Sequence, residues 1–144
     1  MIRPARAREA AALAEIARAA YAPYVPLLGF EPPPMRPDLP AAIAAGRVRV
    51  AGDPAEGFVI AGPDGADWHI ENVSVAPARQ GTGLGRALIA HAERLGRAAG
   101  FRRVTLYTNR VMEGPLALYP RLGYARTHEE TLGRLHRVHF AKEL

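Results

Sequence analysis

The feature that most constrains this chain is a glycine-rich turn, Gln80–Gly85, which stands between two regular patterns. Upstream, an apolar run ends at Val73–Val75 and is followed by Pro77, which predicts a buried strand. Downstream, apolar residues recur at helical spacing from Leu84 to Ala99, and Gly100 is suited to end a helix. The pattern therefore predicts a strand–turn–helix unit, which indicates an α/β protein.

This unit suits an anionic ligand. Glycines let a ligand approach the backbone, and the first N–H groups of a helix are unpaired donors at the positive end of its dipole. The first turn of the predicted helix has no Asp or Glu to pair with these donors, and Arg79 and Arg86 flank it. We predict that a phosphate or pyrophosphate binds here.

Motif spacing argues against two common nucleotide-binding turns. A P-loop requires a lysine directly after its glycines, and the only lysine of this chain is Lys142. A dinucleotide fingerprint would place its third glycine at Arg86. It would also need an acidic residue at the end of a following strand, and the strand predicted at 104–109 has none.

A third pattern, [RQ]-x-x-G-x-[GA] after V-x-P, matches at every fixed position. Val75-Ala76-Pro77 supplies the first part, and Gln80, Gly83 and Gly85 supply the second. On these residues the chain resembles the GCN5-related N-acetyltransferases (GNAT family), in which this turn binds the pyrophosphate of acetyl-coenzyme A.

A second segment, Leu118–Tyr124, is similar to the L-Y-x-x-x-G-[FY] segment of the same family and follows the first motif in the family's order. The resemblance extends from about Trp68 to the C-terminus. It implies the acyl-CoA N-acyltransferase fold: a mixed, mostly antiparallel central sheet flanked by helices, with a splayed parallel strand pair at the cofactor site.

The predicted elements occur in the order that this fold requires: a strand, two helices, three antiparallel strands, a helix, a strand, a helix and two strands. The prolines between Gly29 and Pro37 argue against regular structure there. Asp38 is expected to cap a short helix, and Gly52–Pro54 is expected to form a hairpin turn. At 144 residues, we expect one domain over residues 1–144.

Composition excludes several function classes. The net charge of +5 comes from scattered arginines, with no basic run interleaved with aromatics, so we expect no nucleic-acid partner. The chain has no cysteine, which excludes disulfides and a cysteine nucleophile, and its histidines lack metal-ligand spacing, so we expect no metal. No apolar run is long enough to span a membrane, and no signal-peptide core is present, so we expect a cytoplasmic protein without a membrane partner.

The resemblance implies acetyl-CoA as cosubstrate. In the family the strand before the turn pairs with the pantetheine arm, which here would be Val73, Ser74 and Val75. Many members also have a cofactor-contacting asparagine; Asn109 lies three residues before that position, which Met112 occupies. The pyrophosphate would bind the backbone N–H groups of six consecutive residues: Gly81, Thr82, Gly83, Leu84, Gly85 and Arg86.

Acetyl transfer to an amine requires a neutral amine, stabilisation of the carbonyl oxygen and a proton donor for the thiolate. Without cysteine, direct transfer in a ternary complex is the simplest scheme.

The resemblance implies Tyr119 as the proton donor; the alternative is a tyrosine that only packs its helix on the sheet. Glu71 is the candidate base, and strand alternation is expected to place it on the face of Val73 and Val75. The alternative is a solvated or arginine-paired carboxylate at a strand end.

We therefore expect an N-acetyltransferase that acts on a primary amine of a small molecule or peptide. Two alternatives remain: a catalytically inactive coenzyme A-binding regulatory module, and a module that binds another nucleotide. Family analogy places the acceptor pocket near Tyr21, Tyr24, Phe30 and Met35, with Glu31, Asp38, Glu129 and Glu130 as its only acidic candidates. A homodimer through edge or C-terminal strands remains open.

Overall fold

In a computed structural model, which describes residues 1–144, seven strands form one mixed sheet. They are β1 (Ile2–Pro4), β2 (Val48–Ala51), β3 (Gly57–Asp64), β4 (Asp67–Val75), β5 (Arg103–Asn109), β6 (Ala125–Leu132) and β7 (Leu135–Glu143). Their order across the sheet is β1-β2-β3-β4-β5-β7-β6, and every neighbouring pair is antiparallel except β4 and β5. This confirms the predicted fold class, a mostly antiparallel sheet with one parallel pair.

Five α-helices cover the sheet: α1 (Ala10–Tyr21), α2 (Val25–Leu28), α3 (Leu39–Ala44), α4 (Leu84–Ala98) and α5 (Glu113–Arg121). Helices α1 and α3 cover an apolar cluster that contains Leu13, Leu39 and Phe58. Helix α4 covers a second cluster that contains Leu88 and Val59. Because Phe58 and Val59 are consecutive residues of one strand, the two clusters lie on opposite faces of the sheet.

The segment between α2 and α3 differs from the expectation of no regular structure, because residues Pro33–Met35 form a 3-10 turn. Proline suits the start of such a turn, where its missing N–H would have no partner. The segment is fixed to the sheet through Asn72 of β4, whose side-chain amide donates to the Pro34 carbonyl at 2.8 Å. As predicted, Asp38 caps α3, accepting from the Ala41 N–H at 3.2 Å.

The parallel strands β4 and β5 separate after a short contact. They pair only at Trp68 with Val104 and at His69 with Thr105. From residue 70 onwards the backbone groups of β4 that face β5 have no partner strand, while the other edge of β4 stays paired with β3. The gap between the two strands is the splay that the fold class implies, and it positions the site described below.

The register of β3 with β4 shifts once, and Glu71 is the β4 residue left without a partner. As a result Ile70 and Val73, three positions apart, both contact the cluster under α4. A bulge of this kind interrupts the alternation of faces along a strand. The regular alternation that would place Glu71 on the face of Val73 and Val75 therefore does not apply to this strand.

Helix α4 approaches the sheet closely at Gly96, which lies against Trp68. A Cβ at Gly96 would lie 2.6 Å from Trp68 Cγ, which is shorter than any real contact. We expect Gly96→Ala to lower the free energy of unfolding by roughly 1–3 kcal/mol, because the helix or the indole must shift. Urea denaturation measures this. The control is Gly114→Ala, whose Cβ would meet nothing within 4 Å; equal stability of the two variants would contradict the packing described.

Candidate active site

A cavity of about 630 Å³ lies between the separated ends of β4 and β5. On one face of the sheet α4 and α5 bound it through Gly85 and Tyr119, and on the other face α1 and the segment after it bound it through Tyr21 and Tyr24. The cavity passes through the sheet because the two strands no longer pair here. A ligand that enters beside α4 can therefore meet a second ligand that enters beside α1.

The glycine-rich turn presents a row of free donors at the α4 end of this cavity. The backbone N–H groups of residues 81–86 donate no hydrogen bond within the chain. Gly81 and Gly83 have φ values of 78° and 88°, which side chains with a Cβ rarely adopt. Thr82 Oγ1 donates to the Arg79 carbonyl at 2.5 Å, so it fixes the turn and leaves the N–H groups open. The geometry suits an anion at the positive end of the helix dipole.

The two arginines beside the glycine-rich turn, Arg79 and Arg86, form no ion pair with a residue of the turn. Arg79 forms an ion pair with Glu56 at 2.8 Å, with both side chains about half exposed. Arg86 is exposed and has no ion-pair partner. Leu84 begins α4 and packs against the core, so its contribution to a ligand is restricted to its backbone.

The open edge of β4 lies next to this turn. Val73 and Val75 line the cavity. Ser74 is buried, and its hydroxyl donates to Asn72 Oδ1 at 2.6 Å. The side chain of Ser74 is thus fully engaged inside the protein, and only its backbone can pair with a ligand.

Tyr119 lines the cavity from α5. Its ring packs against Phe140 and Tyr124, with centroid distances of 5.5 and 6.0 Å. Its hydroxyl makes no hydrogen bond within the chain and is not enclosed. Burial, with a smaller effect of the nearby Tyr24, raises the pKa of Tyr119 to about 12. The phenol therefore stays protonated at neutral pH, as a proton donor requires.

Glu71 also lines the cavity, but the regular alternation expected to place it on the face of Val73 and Val75 is interrupted by the bulge. Its side chain is exposed and has no hydrogen bond or ion pair within the chain. The bulge leaves Glu71 without a partner residue on β3. A carboxylate at this place remains able to accept a proton, and its role as a base stays a prediction.

Asn109 is buried at the end of β5 and lines the cavity. Its Oδ1 accepts from the Val111 N–H at 3.1 Å, which fixes the turn that leads into α5. Its side-chain nitrogen makes no hydrogen bond within the chain, so that nitrogen is the atom available to a ligand. Asn109 pairs with Arg137 of β7.

The α1 side of the cavity differs in part from the expectation for an acceptor pocket. Tyr21 and Tyr24 line the cavity as expected, but Phe30 and Met35 do not. Met35 is buried beneath α1, and the ring of Phe30 lies 4.3 Å from the Arg134 guanidinium. The sequence could not decide which side chains of this loop face the cavity, and the position of an acceptor pocket here stays a prediction.

Two cavity residues, Tyr107 and Arg137, were missed from the sequence. The Arg137 guanidinium lies 4.4 Å from the centre of the Tyr107 ring. The two residues are thirty positions apart in the sequence, and only the pairing of β5 with β7 brings them together. No local pattern in the sequence could have found them.

No group of three or more His, Asp or Glu side chains is arranged to bind a metal ion. None of the helices combines the length and the apolar character that are needed to cross a membrane.

Comparison with known proteins gives one family match and several similar structures. The family model described as "Acetyltransferase (GNAT) family" matches residues 31–124, well over half of the chain. No curated protein sequence is significantly similar to the chain.

Among solved structures, the PaiA N-acetyltransferase from Thermoplasma acidophilum, in complex with coenzyme A, has a TM-score of 0.77 at 16% identity, covering 100% of this chain and 98% of its own. The ribosomal-protein-alanine N-acetyltransferase from Brucella melitensis has a TM-score of 0.78 at 20% identity, and the match covers 100% of this chain and 99% of that protein's chain. YncA from Salmonella typhimurium, with its cofactor acetyl-CoA, has a TM-score of 0.74 at 22% identity, and the match covers 100% of this chain and 93% of that protein's chain. At these identities the likeness shows a shared fold.

Proposed function

The chain belongs to the GNAT acetyltransferase family, and from this premise we propose that it transfers the acetyl group of acetyl-CoA directly to a primary amine in a ternary complex. The observation that carries the proposal is the run of free N–H groups at residues 81–86, at one end of a cavity that passes through the sheet. One end of the cavity suits the cosubstrate, and the other end is open to an acceptor.

The residues present fit coenzyme A. The N–H groups of residues 81–86 would bind the pyrophosphate, and the unpaired edge at Val73–Val75 would pair with the pantetheine amides. Asn109 would offer its side-chain nitrogen from the opposite strand. When bound, acetyl-CoA supplies an activated acetyl group as a thioester.

The residues of the cavity account for the remaining requirements. Glu71 accepts a proton from the attacking amine, directly or through water, as the C–N bond forms. A backbone N–H of β4 near Val73 stabilises the carbonyl oxygen. As the C–S bond breaks, Tyr119 donates its proton to sulfur, and both side chains then exchange protons with solvent. The products are an amide and free coenzyme A.

Ligand-induced stabilisation followed by a turnover assay tests the proposal. At about a hundred times its dissociation constant, acetyl-CoA or coenzyme A should stabilise the protein by roughly 2.7 kcal/mol. Release of free thiol is then measured over a panel of primary amines. A shift with acetyl-CoA and no turnover with any amine would support the regulatory-module alternative. A shift with NADH or ATP in place of coenzyme A would support the nucleotide-module alternative.

A further inference from the structure

Arg137 is a largely buried cation whose donors are free. Its side chain is 20% exposed and lies against the Tyr107 ring. Its guanidinium forms a long ion pair with Glu130, at 3.8 Å, and donates no hydrogen bond within the chain. A guanidinium has five N–H donors, so this contact leaves its hydrogen-bonding capacity unused. Because Arg137 lines the cavity, its free donors are available to a ligand there.

The anion that Arg137 would bind is not the pyrophosphate. Val138 and Phe140, its neighbours along β7, face the cluster under α4. Arg137 alternates with them and therefore faces the other side of the sheet, where α1 lies. The glycine-rich turn starts α4 on the opposite face. Arg137 is therefore on the acceptor side of the cavity.

The cavity contains one residue of each charge. Glu71 is its only acidic lining residue, and Arg137 is its only basic one. Apart from Asn72 and Asn109, most of the remaining lining on the α1 side is apolar or aromatic, including Tyr21, Tyr24 and Leu27. Leu27 is 66% exposed, an unusual state for a leucine beside a cavity and one that an apolar ligand would relieve.

The acidic residues expected near the acceptor mouth are largely engaged elsewhere. Glu31 pairs with Arg36 at 2.5 Å, and Asp38 caps α3. Glu130 accepts from His139 at 3.0 Å and forms the ion pair with Arg137 at 3.8 Å. Glu71 is therefore the one carboxylate that lines the cavity, whereas a polycation such as a polyamine or a lysine-rich peptide would call for several.

We propose that the acceptor is a free α-amino acid with an apolar or aromatic side chain, whose carboxylate binds Arg137 and whose amine lies towards Glu71. The inference rests on the proposed function, since it names the substrate class of the same site. An amino acid carries one charge of each sign beside an apolar group, which is the combination that the cavity lining presents. A guanidinium binds a carboxylate through two parallel hydrogen bonds.

The test compares matched acceptors that differ in the carboxylate. Leucine and phenylalanine are assayed beside their amides, which mimic a peptide N-terminus, and beside isoamylamine and phenethylamine, which lack the carboxyl group. Spermidine is included as a polycation. We expect the wild-type protein to have the highest kcat/KM for the free amino acids. We expect Arg137→Met to lose on the order of 10- to 100-fold in kcat/KM for these and little for the amines, as for lost hydrogen bonds to a charged group.

Arg126→Met is the matched control. Arg126 is an exposed arginine on β6, and its guanidinium lies 6.0 Å from the Phe140 ring, outside the cavity. This variant should retain the wild-type preference. In all three proteins the stabilisation by coenzyme A should be the same, because Arg137 does not lie at the glycine-rich turn. If Arg137→Met fails to fold, the wild-type preference for acid over amide decides the question.

The outcomes separate the two proposals. If amides, simple amines or spermidine are the better substrates, the inference is overturned and the acetyltransferase proposal stands. If coenzyme A stabilises the protein but nothing is acetylated, calorimetry of leucine and phenylalanine with the coenzyme A-loaded protein decides: binding that Arg137→Met removes supports the inference, and no binding overturns it. If neither coenzyme A nor acetyl-CoA stabilises the protein and no amine is acetylated, both proposals fail.

Discussion

Replacing Gly85 with glutamate is expected to abolish the stabilisation of the protein by acetyl-CoA while leaving the fold intact. Gly85 lies in the first turn of α4 and lines the cavity, and a Cβ there would meet only Val75 Cγ2 at 3.8 Å. Its backbone is helical, so the substitution brings none of the strain expected at Gly81 or Gly83. The new carboxylate would lie among the free N–H groups and compete with a pyrophosphate for them.

Thermal denaturation with and without acetyl-CoA measures this effect. The wild-type shift should correspond to roughly 2.7 kcal/mol at a hundredfold excess over the dissociation constant, and Gly85→Glu should show almost none. Ala98→Glu is the matched control, because it adds the same charge at the exposed far end of the same helix. An undiminished shift in Gly85→Glu would show that the turn does not bind the cosubstrate.

Substitution of Tyr119 by phenylalanine is expected to lower kcat by roughly a hundredfold or more, the usual contribution of a positioned proton donor. Stability and coenzyme A binding should not change, because the Tyr119 hydroxyl makes no hydrogen bond within the chain. The pKa of Tyr119 is raised to about 12, so its protonated form predominates at every pH below that value. The wild-type kcat should therefore show no loss attributable to Tyr119 as the pH rises from 7 to about 10.

For Tyr124→Phe we expect the opposite pattern, a loss of stability with little change in kcat. The Tyr124 hydroxyl is buried and donates to Glu93 Oε2 at 2.7 Å, and Lys142 Nζ donates to the same carboxylate at 3.1 and 3.2 Å. Removing this hydroxyl should lower the free energy of unfolding by about 1–3 kcal/mol and leave kcat near the wild-type value. Steady-state kinetics and urea denaturation of both variants distinguish the two tyrosines. Equal kcat for Tyr119→Phe and wild type would contradict the proton-donor role.

The parts predicted from sequence are those that a few consecutive residues determine. The donors of the anion turn come from one segment: glycines that allow positive φ, no acidic residue in the first helical turn, and a helix that follows. The same segment, with Leu118–Tyr124, identified the family, and the alternation of strand and helix patterns predicted the fold class. Such features depend on local conformation, so distant contacts do not alter them.

The tertiary structure alone decided what depends on strand register and on chain segments far apart. The interruption of strand alternation at Glu71 comes from a single register shift between β3 and β4, which no residue pattern predicts. Arg137 reaches the α1 side of the cavity because β7 lies between β5 and β6 and pairs with β5 in a fixed register. A register shift of one residue would turn Arg137 to the other face of the sheet. The anion-binding turn is thus encoded locally, while the gap between β4 and β5 and the α1 side of the cavity exist only once the sheet has assembled.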